Sequence, residues 1–508
     1  MKSSRLTPVF CLETYQKIYA RCLSANAATA PRNSQKLKSY SEIPGPSSLP
    51  IIGQTRHFLP GGEMYNVSAL KFGEKLYKKY GPIVKFDGSF GRPDFILLFD
   101  PESCAQVLRS ENWLPIRPGF DSLKYYRRSK VEDPKKPTGL ITDQGDVWKQ
   151  FRSTVNPVML QPKIVQQYRD MLDEVARDMI LRMKSIRDDK NMLKGKFDVE
   201  MNLWALESIG LVALGRRLNC FDPNLPEDSP VKKLIQVVHD TFVTANELDF
   251  KPSLWKYYKT RTFKKAMKLY ESHANIARHF IDITINELEK NSGNARKSDD
   301  EKSVLEKLLD INKEVALIMA SDMLFAGVDT TSNTITGSLY LLAKNQEKQD
   351  KLREEIASGQ EKRPYLKACI KESLRMIPVT PGNLRMTTVD YNILGYAIPK
   401  DTQLGIMHQT MSMFENEYPR ADEYIPERWM VSKEDPLYHG NAHPFAYSPF
   451  GFGVRSCIGR RIAELEMETF LARIIQSFRV EWFGPPIQVI PASLNYITGP
   501  YNFVFKDV

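Results

Sequence analysis

The segment 450–459 constrains the fold of this chain more than any other part of its sequence. It reads Phe-Gly-Phe-Gly-Val-Arg-Ser-Cys-Ile-Gly and places Cys457 two residues after Arg455. Glycines let the backbone turn tightly around the sulfur, and a helical pattern begins at Ile458. Backbone N–H groups of such a loop, and the positive end of the following helix, favour a thiolate over a thiol. The segment therefore predicts a cysteine loop that leads into a helix, with the sulfur held as an anion.

A thiolate of this kind is a good axial ligand for haem iron, and Arg455 is placed to pair with a haem propionate. The chain here resembles the cytochrome P450 family of haem-thiolate monooxygenases, whose pattern Phe-x-x-Gly-x-Arg-x-Cys-x-Gly it matches from Phe450 onward at every fixed position. The resemblance implies a mainly α fold with a small β portion, in which a long central helix lies over haem b and Cys457 is the axial thiolate. Further motifs, described below, extend the resemblance from about Pro44 to the C-terminus. The alternative is a buried structural cysteine in a glycine-rich turn.

Length and composition favour one large domain. The 508 residues contain no internal repeat and no long Gly/Ser linker after residue 60. With 42% hydrophobic and 26% charged residues, the chain can bury a core and a large cofactor. Six scattered cysteines with no Cys-x-x-Cys spacing argue against a disulfide framework and fit a reducing compartment. We expect residues 41–508 to form a single haem-thiolate monooxygenase domain.

Residues 1–40 have the composition of a mitochondrial presequence and linker. Basic residues recur before Glu42, Glu13 is the one acidic residue among them, and Ser, Ala and Thr fill much of the rest. The longest apolar run there is Val9-Phe10-Cys11-Leu12, far short of the roughly 20 residues that span a bilayer. We therefore expect a mitochondrial enzyme on the matrix side of the inner membrane, without a transmembrane anchor. A disordered soluble tail is the alternative.

The net charge of +10 is compatible with an acidic protein partner, anionic lipid or nucleic acid. No nucleic-acid-binding motif accompanies the charge, and the basic residues are not interleaved with aromatic stacking positions. We expect no nucleic-acid partner.

Periodicity predicts mostly helices. Two apolar runs, 83–86 and 95–99, predict a hairpin, and a second β region is expected at 391–402 with a turn at Gly395. Helical periodicity covers the following ranges: 160–186, 230–248, 258–290, 312–345, 364–377 and 458–477.

The longest predicted helix has Ala326-Gly327-Val328-Asp329-Thr330-Thr331 at its centre. A threonine hydroxyl there can bond the carbonyl four residues back, that of Ala326, and glycine weakens the local helix. By resemblance to the family's acid–threonine pair, Thr330 positions oxygen and water, and Asp329 supplies protons. Taken alone, the hexapeptide favours a helix with an exposed Asp-Thr-Thr patch.

Glu372 and Arg375 lie three residues apart, which alone predicts a weak surface pair. They match the family's Glu-x-x-Arg motif, and the resemblance implies that Arg428 completes a buried Glu–Arg–Arg network. We expect this network to fix the segment that carries the cysteine loop.

Trp148 and Arg152 stand one helical turn apart, so both can reach one ligand. By resemblance they contact a haem propionate together with Arg385. Two buried carboxylates need such partners. Each of the three residues, viewed singly, is also compatible with a surface position.

Two basic pairs bear on electron delivery: Lys367 with Lys371, and Arg460 with Arg461. These positions are similar to those at which mitochondrial members of the family dock an acidic, adrenodoxin-like ferredoxin. An NADPH-dependent reductase supplies that ferredoxin with electrons. Solvated helix faces are the alternative.

The segment 250–259 mixes aromatic residues with lysines, which suits either peripheral contact with the inner membrane or a solvated loop over the substrate channel. The wall of the substrate site should include Ala326, Val379, Thr380 and residues near Ile497, which are apolar enough to suggest a lipophilic small molecule. The charged stretch 125–136, where the family usually caps this site, does not follow a pattern that identifies the substrate.

These observations together predict a mitochondrial monooxygenase that hydroxylates a lipophilic steroid or foreign compound with O₂ and ferredoxin electrons. Two rivals stay open: a haem-thiolate isomerase or dehydratase, and a haem-binding sensor without turnover. The acid–threonine pair argues against the isomerase, which needs no external protons.

Overall fold

The computed structural model describes residues 37–90, 92–193, 197–290 and 298–508. The predicted presequence and linker, 1–40, lie almost entirely outside these residues. Within them the chain is mainly helical, with short strands, as the sequence predicts.

The helices are, in chain order, α1 Ala69–Tyr80, α2 Pro101–Arg109, α3 Asp121–Arg128, α4 Gly145–Leu160, α5 Pro162–Gln166, α6 Arg169–Ile186, α7 Phe197–Leu214, α8 Pro230–Ala245, α9 Arg261–Lys290, α10 Val304–Leu309, α11 Lys313–Lys344, α12 Gln346–Ala357, α13 Pro364–Met376, α14 His408–Met411 and α15 Arg460–Ser477. The strands are β1 Ile83–Phe86, β2 Phe95–Leu98, β3 Asn383–Met386, β4 Tyr391–Ile393, β5 Tyr396–Ile398, β6 Gln403–Ile406, β7 Phe478–Trp482, β8 Gln488–Pro491, β9 Asn495–Thr498 and β10 Phe503–Asp507.

The predicted hairpin is confirmed, because β1 and β2 pair antiparallel with Ile83 opposite Leu98. They belong to a four-stranded sheet of order β1-β2-β6-β3, in which β2 and β6 run parallel. The second β region is also confirmed as the antiparallel pair β4–β5. The predicted helix 160–186 is wrong as one element, because Pro162 and the turn before Arg169 divide it into the end of α4, α5 and α6.

Helix α11 is the centre of the core. It packs most extensively on α7 and also contacts α9, α10, α13 and α15. It is long and apolar enough to cross a bilayer, but 67% of its most apolar 18-residue window is buried inside the protein. Its hydropathy is therefore explained by its central position in the fold.

Gly327 allows α11 to pack closely against α7. A Cβ at this position would lie 2.6 Å from Cγ1 of Ile209 on α7, which is inside any normal contact distance. The glycine that the sequence marks as a weak point of the helix is therefore a packing requirement.

Candidate functional site

The cysteine loop forms as predicted. Gly451 and Gly453 have φ values of +74° and +66°, a backbone region that favours glycine. The amide of Cys457 donates to the Phe450 carbonyl at 2.8 Å, which closes the loop. Helix α15 begins three residues after the cysteine. The sulfur is thereby held at the entrance to α15 by backbone geometry.

The electrostatics of Cys457 have two opposing parts. Burial raises the pKa of the thiol, whereas the Gly459 N–H, which donates to the sulfur, and the charges of Arg152, Arg117 and Arg460 lower it. Burial dominates, so the loop alone does not favour the thiolate as strongly as the sequence suggests. A bound metal cation would supply the remaining stabilisation of the anion.

Cys457 also differs from the other described cysteines in accessibility. Cys104, Cys220 and Cys369 are buried. Cys457 has accessible surface, although protein surrounds it closely enough to desolvate it. Both observations hold together if its sulfur borders an internal space rather than the outer surface.

Positive charge converges on this space. Burial and the charge of Arg117 lower the pKa of Arg152 to about 10, even though Cys457 opposes the shift. Burial and three neighbouring arginines, Arg117 foremost, lower the pKa of Arg455 to about 8. Because arginine keeps its proton in proteins, these shifts describe a cluster of cations that needs anions.

The residues predicted to contact a haem propionate differ in how many of their hydrogen-bond donors already have a partner within the protein. Arg455 donates to the Pro115 carbonyl at 3.0 Å and lies 3.7 Å above the Trp148 ring, a cation–π contact. Arg385 pairs with Glu111 and donates to the Phe452 carbonyl at 3.2 Å. Arg152 has a buried Nε atom with no hydrogen-bond partner.

Arg117 also belongs to this cluster, although no sequence feature predicts it. Burial and the charge of Arg385 lower its pKa to about 10, and Cys457 attracts it. Among the described residues, its guanidinium and that of Arg152 form no ion pair. Arg117 lies between Pro115 and Pro118 in an irregular segment, so neither periodicity nor a motif marks it.

Helix α11, which contacts α4 and α15, has one partly accessible face at its centre. Ala326 and Thr330 are half-buried in a helix that is otherwise largely buried, and they lie one turn apart on one face. The Thr330 hydroxyl donates to the Ala326 carbonyl at 2.7 Å, which confirms the predicted bond. The bond uses the hydroxyl proton and leaves oxygen lone pairs to accept from water.

Asp329 is turned away from that face. It is 1% exposed, and its Oδ2 atom accepts a hydrogen bond from the Tyr496 hydroxyl of β9. His239 of α8 lies 3.7 Å from the same oxygen, and the other oxygen, Oδ1, is buried without a partner. The structure thus places the acid next to Thr330 in sequence but on a different side of the helix.

The buried Glu–Arg–Arg network is confirmed. Glu372 accepts hydrogen bonds from Arg375 at 2.8 and 3.0 Å, from Arg428 at 2.9 Å and from the Trp429 indole at 2.9 Å. The three charged side chains have no exposed surface. Arg375 also donates to the carbonyls of Ser412 and Ala421, so the network ties α13 to the segment that leads to the cysteine loop.

The predicted docking residues are exposed. Lys371 lies 5.6 Å from the centre of the Trp429 ring, and Lys367 is 3.6 Å from Glu468. Arg460 pairs with Glu464 at 2.9 Å, and Arg461 is exposed beside it. The helices that carry the two basic pairs, α13 and α15, contact each other.

The aromatic-lysine segment 250–259 is exposed along most of its length, with Tyr257 at 67% and Tyr258 at 59% exposure. Arg92 donates to the carbonyls of Asp249 and Lys251 and so anchors the segment to the turn after β1. Of the predicted substrate wall, Ala326, Val379 and Thr380 are half-buried, and Ile497 is 5% exposed.

The residues present fit a haem. An accessible sulfur lies in an enclosed position, two unpaired arginines stand near it, and one of these has an orphaned buried donor. A flat cofactor with one metal and two carboxylates would satisfy all three features.

Comparisons with known proteins agree with this geometry. The family described as cytochrome P450 matches residues 43–501. Cytochrome P450 CYP12A2 of Musca domestica is 40% identical, covering 96% of this chain and 95% of its own, and the probable mitochondrial cytochrome P450 12b2 of Drosophila melanogaster is 37% identical over 93% and 90%. The crystal structure of the cytochrome P450DA heme domain superposes with a TM-score of 0.74 at 19% identity, covering 93% of this chain and 98% of that one.

Proposed function

The chain belongs to the mitochondrial class of the cytochrome P450 family, haem-thiolate monooxygenases with haem b as cofactor, and we propose that it hydroxylates a lipophilic substrate with O₂ and electrons from a ferredoxin. The observation that carries the proposal is the enclosed, accessible sulfur of Cys457 beside a cluster of under-compensated arginines. Haem, when bound there, supplies oxygen activation that side chains alone do not provide.

Cys457 would hold the iron, and the arginines would hold the propionates. Arg117 and Arg152 have free donors for a carboxylate, whereas Arg385 and Arg455 are fixed by protein carbonyls and add positive potential. Trp148 lies under the Arg455 guanidinium and keeps it in place. Phe450 accepts from the Cys457 amide through its carbonyl and lies 5.3 Å from the guanidinium carbon of Arg460.

Thr330 and Asp329 act in proton delivery. The Thr330 oxygen, fixed by its bond to Ala326, orients a water through its lone pairs. Asp329 carries a proton from the opposite side of the helix, and its unpartnered Oδ1 atom is free to accept one.

The partner surface is the basic side formed by Lys367, Lys371, Arg460 and Arg461. An acidic ferredoxin, reduced by an NADPH-dependent reductase, would be attracted there by charge complementarity. The exposure of all four residues supports this role.

The enzyme works on the matrix side of the inner membrane and touches it peripherally. Tyr257 and Tyr258, flanked by Lys256 and Lys259, present an amphipathic surface suited to lipid headgroups. Residues 1–40 act as presequence and linker, and 41–508 form the single catalytic domain.

Reconstitution tests the proposal. The purified protein should form product only with ferredoxin, reductase and NADPH, and ligand-perturbation spectra against sterols and foreign compounds should identify the substrate. Cys457→Ser should abolish the red-shifted band of the reduced carbonyl complex, while Cys369→Ser, at a buried cysteine, should keep it. Product without ferredoxin would favour an isomerase, and haem binding without any product would favour a sensor.

A further inference from the structure

Asp329 meets two groups that belong to neither the cysteine loop nor the central helix. The Tyr496 hydroxyl donates to its Oδ2 atom, and His239 Nδ1 lies 3.7 Å from that oxygen. The two rings also touch, edge to face, with centroids 4.9 Å apart. The three side chains form one cluster that joins α11, β9 and α8.

The positions within the cluster are fixed by backbone contacts. The Asn333 amide donates to the Asp329 carbonyl at 2.8 Å, and its oxygen accepts from the Ile497 N–H at 3.0 Å. This holds β9 against α11 and leaves the Tyr496 hydroxyl directed at the carboxylate.

The members of the cluster differ in their contact with water. Asp329 and Tyr496 are 1% and 5% exposed, whereas 43% of the His239 side chain is exposed. A proton can therefore reach His239 directly from solvent, while the carboxylate has no direct access. Burial holds the pKa of Tyr496 well above its usual range, so its hydroxyl anchors the carboxylate rather than donating a proton to it.

From this arrangement we propose that His239 is the positioning residue that loads Asp329 with protons from solvent during turnover. The inference rests on the proposed role of Asp329. The Nδ1–H of the imidazolium passes its proton to the Asp329 carboxylate, and the neutral imidazole regains one from water. Because the 3.7 Å between His239 Nδ1 and Asp329 Oδ2 is longer than a hydrogen bond, proton transfer needs a small side-chain movement or one bridging water.

The charges around His239 support this role. Its contact with the Asp329 carboxylate raises the pKa of His239, and Asp240 on α8 and Asp198 on α7 add to the effect. On the neighbouring helix α9, Lys265 lies 3.6 Å from Asp240 and offsets part of that contribution. A histidine with a raised pKa stays protonated, and able to donate, at a higher pH than a free one.

The test uses the full holoenzyme with ferredoxin and reductase. In His239→Gln, product per NADPH consumed should fall about tenfold and peroxide should rise, since positioned proton transfer is worth about 10²–10⁴-fold and water replaces part of it. In the wild type, coupling should fall as pH rises through the pKa of His239, and this fall should be absent from His239→Gln. The matched control His279→Gln, at an exposed histidine of α9, should behave as wild type.

A second measurement does not depend on turnover. NMR titration of histidine-labelled protein should place the pKa of His239 above about 6.5, and the pKa should fall in Asp329→Asn because the attracting charge is gone. An unchanged pKa in Asp329→Asn would overturn the inference. So would impaired His239→Gln with a pH profile unchanged from that of the wild type, which would identify a mere tether between α8 and α11.

The two proposals fail separately. Normal coupling in Asp329→Asn would refute the proton role of Asp329 itself. Impaired Asp329→Asn together with normal His239→Gln would refute only the role of His239.

Discussion

Two buried clusters of arginine in this protein differ in how far other groups of the protein compensate their positive charge. In the network around Glu372, both guanidinium groups bond the same carboxylate, and backbone carbonyls take most of the remaining donors. Around Cys457, Arg117 and Arg152 have no carboxylate partner among the described residues. Both clusters carry the cost of burying charge, but only the first offsets it fully within the protein.

The difference distinguishes structure from function. A fully paired network holds the fold whether or not a ligand is bound. An under-compensated cluster lowers the pKa of its own arginines and becomes favourable when an anion arrives. Buried charge that the chain leaves unpaired is therefore the better indicator of a binding site.

The largest expected effect comes from breaking the paired cluster. Glu372→Gln removes the one charge that neutralises Arg375 and Arg428, and both stay fully buried. Breaking a buried pair costs about 3–5 kcal/mol, so folded haem-containing protein should be largely lost. Soluble yield and the thermal unfolding midpoint measure it.

A matched control is available for that experiment. Glu423 pairs with Arg420 at the same spacing of three residues, but both side chains are about half exposed. Glu423→Gln should leave the unfolding midpoint unchanged. Equal losses in both variants would mean that burial is not what separates the two pairs.

The under-compensated cluster should respond in the opposite sense. Arg152→Leu removes a cation without a partner, so the haem-free protein should be as stable as wild type or more so. Loss of haem to an excess of acceptor should accelerate about 10–100-fold, because a charged hydrogen bond contributes about 1.5–3 kcal/mol. Absorbance at the haem band measures it.

Arg177→Leu, at an exposed arginine of α6, serves as control and should leave haem loss unchanged. The contrast between the clusters is contradicted if Arg117→Leu and Arg152→Leu both destabilise the haem-free protein while haem stays bound as before.

Much of the fold could be predicted where the signal is local. The cysteine loop, the β1–β2 hairpin and α11 follow from turn residues, strand alternation and helical period. Helix α7 could not be found, because nearly all of its side chains are buried and no polar face marks its period. The parallel pairing of β2 with β6 joins segments about 300 residues apart, for which no local pattern specifies a register.

The candidate site divides in the same way. Cys457, Thr330 and the Glu372 network lie in motifs whose spacing is visible in the sequence. Arg117 and His239 act through neighbours that only the tertiary fold supplies, and neither occurs in a motif. The pairing of charges, which separates the two arginine clusters, is a property of the fold and could not be read from residue types.

A smaller effect is expected at the Thr330 hydroxyl, whose proton is already hydrogen-bonded within the helix while its oxygen can still accept from water. Thr330→Ala removes the hydroxyl that bonds Ala326 and orients water. The carbonyl-complex band should persist, while product per NADPH falls about tenfold or more and peroxide is released. Thr330→Ser, which keeps the hydroxyl, should retain most of the coupling. Normal turnover by Thr330→Ala would show that its hydroxyl is only a helix contact.

The smallest effect is expected at Lys371, a charge that has no ion-pair partner among the described residues and is in contact with water. Lys371 is exposed and near the Trp429 ring, so water stabilises it and the protein has no need of an anion there. Lys371→Gln should raise the KM for ferredoxin only about two- to fivefold, as exposed charge pairs are weak, and the difference from wild type should shrink as salt increases. Lys190→Gln, at an exposed lysine after α6, should change neither value. Salt screens the attraction between charges but does not weaken packing. A rise in the KM of Lys371→Gln that does not depend on salt would therefore mean that the lysine packs on Trp429 and does not attract the partner.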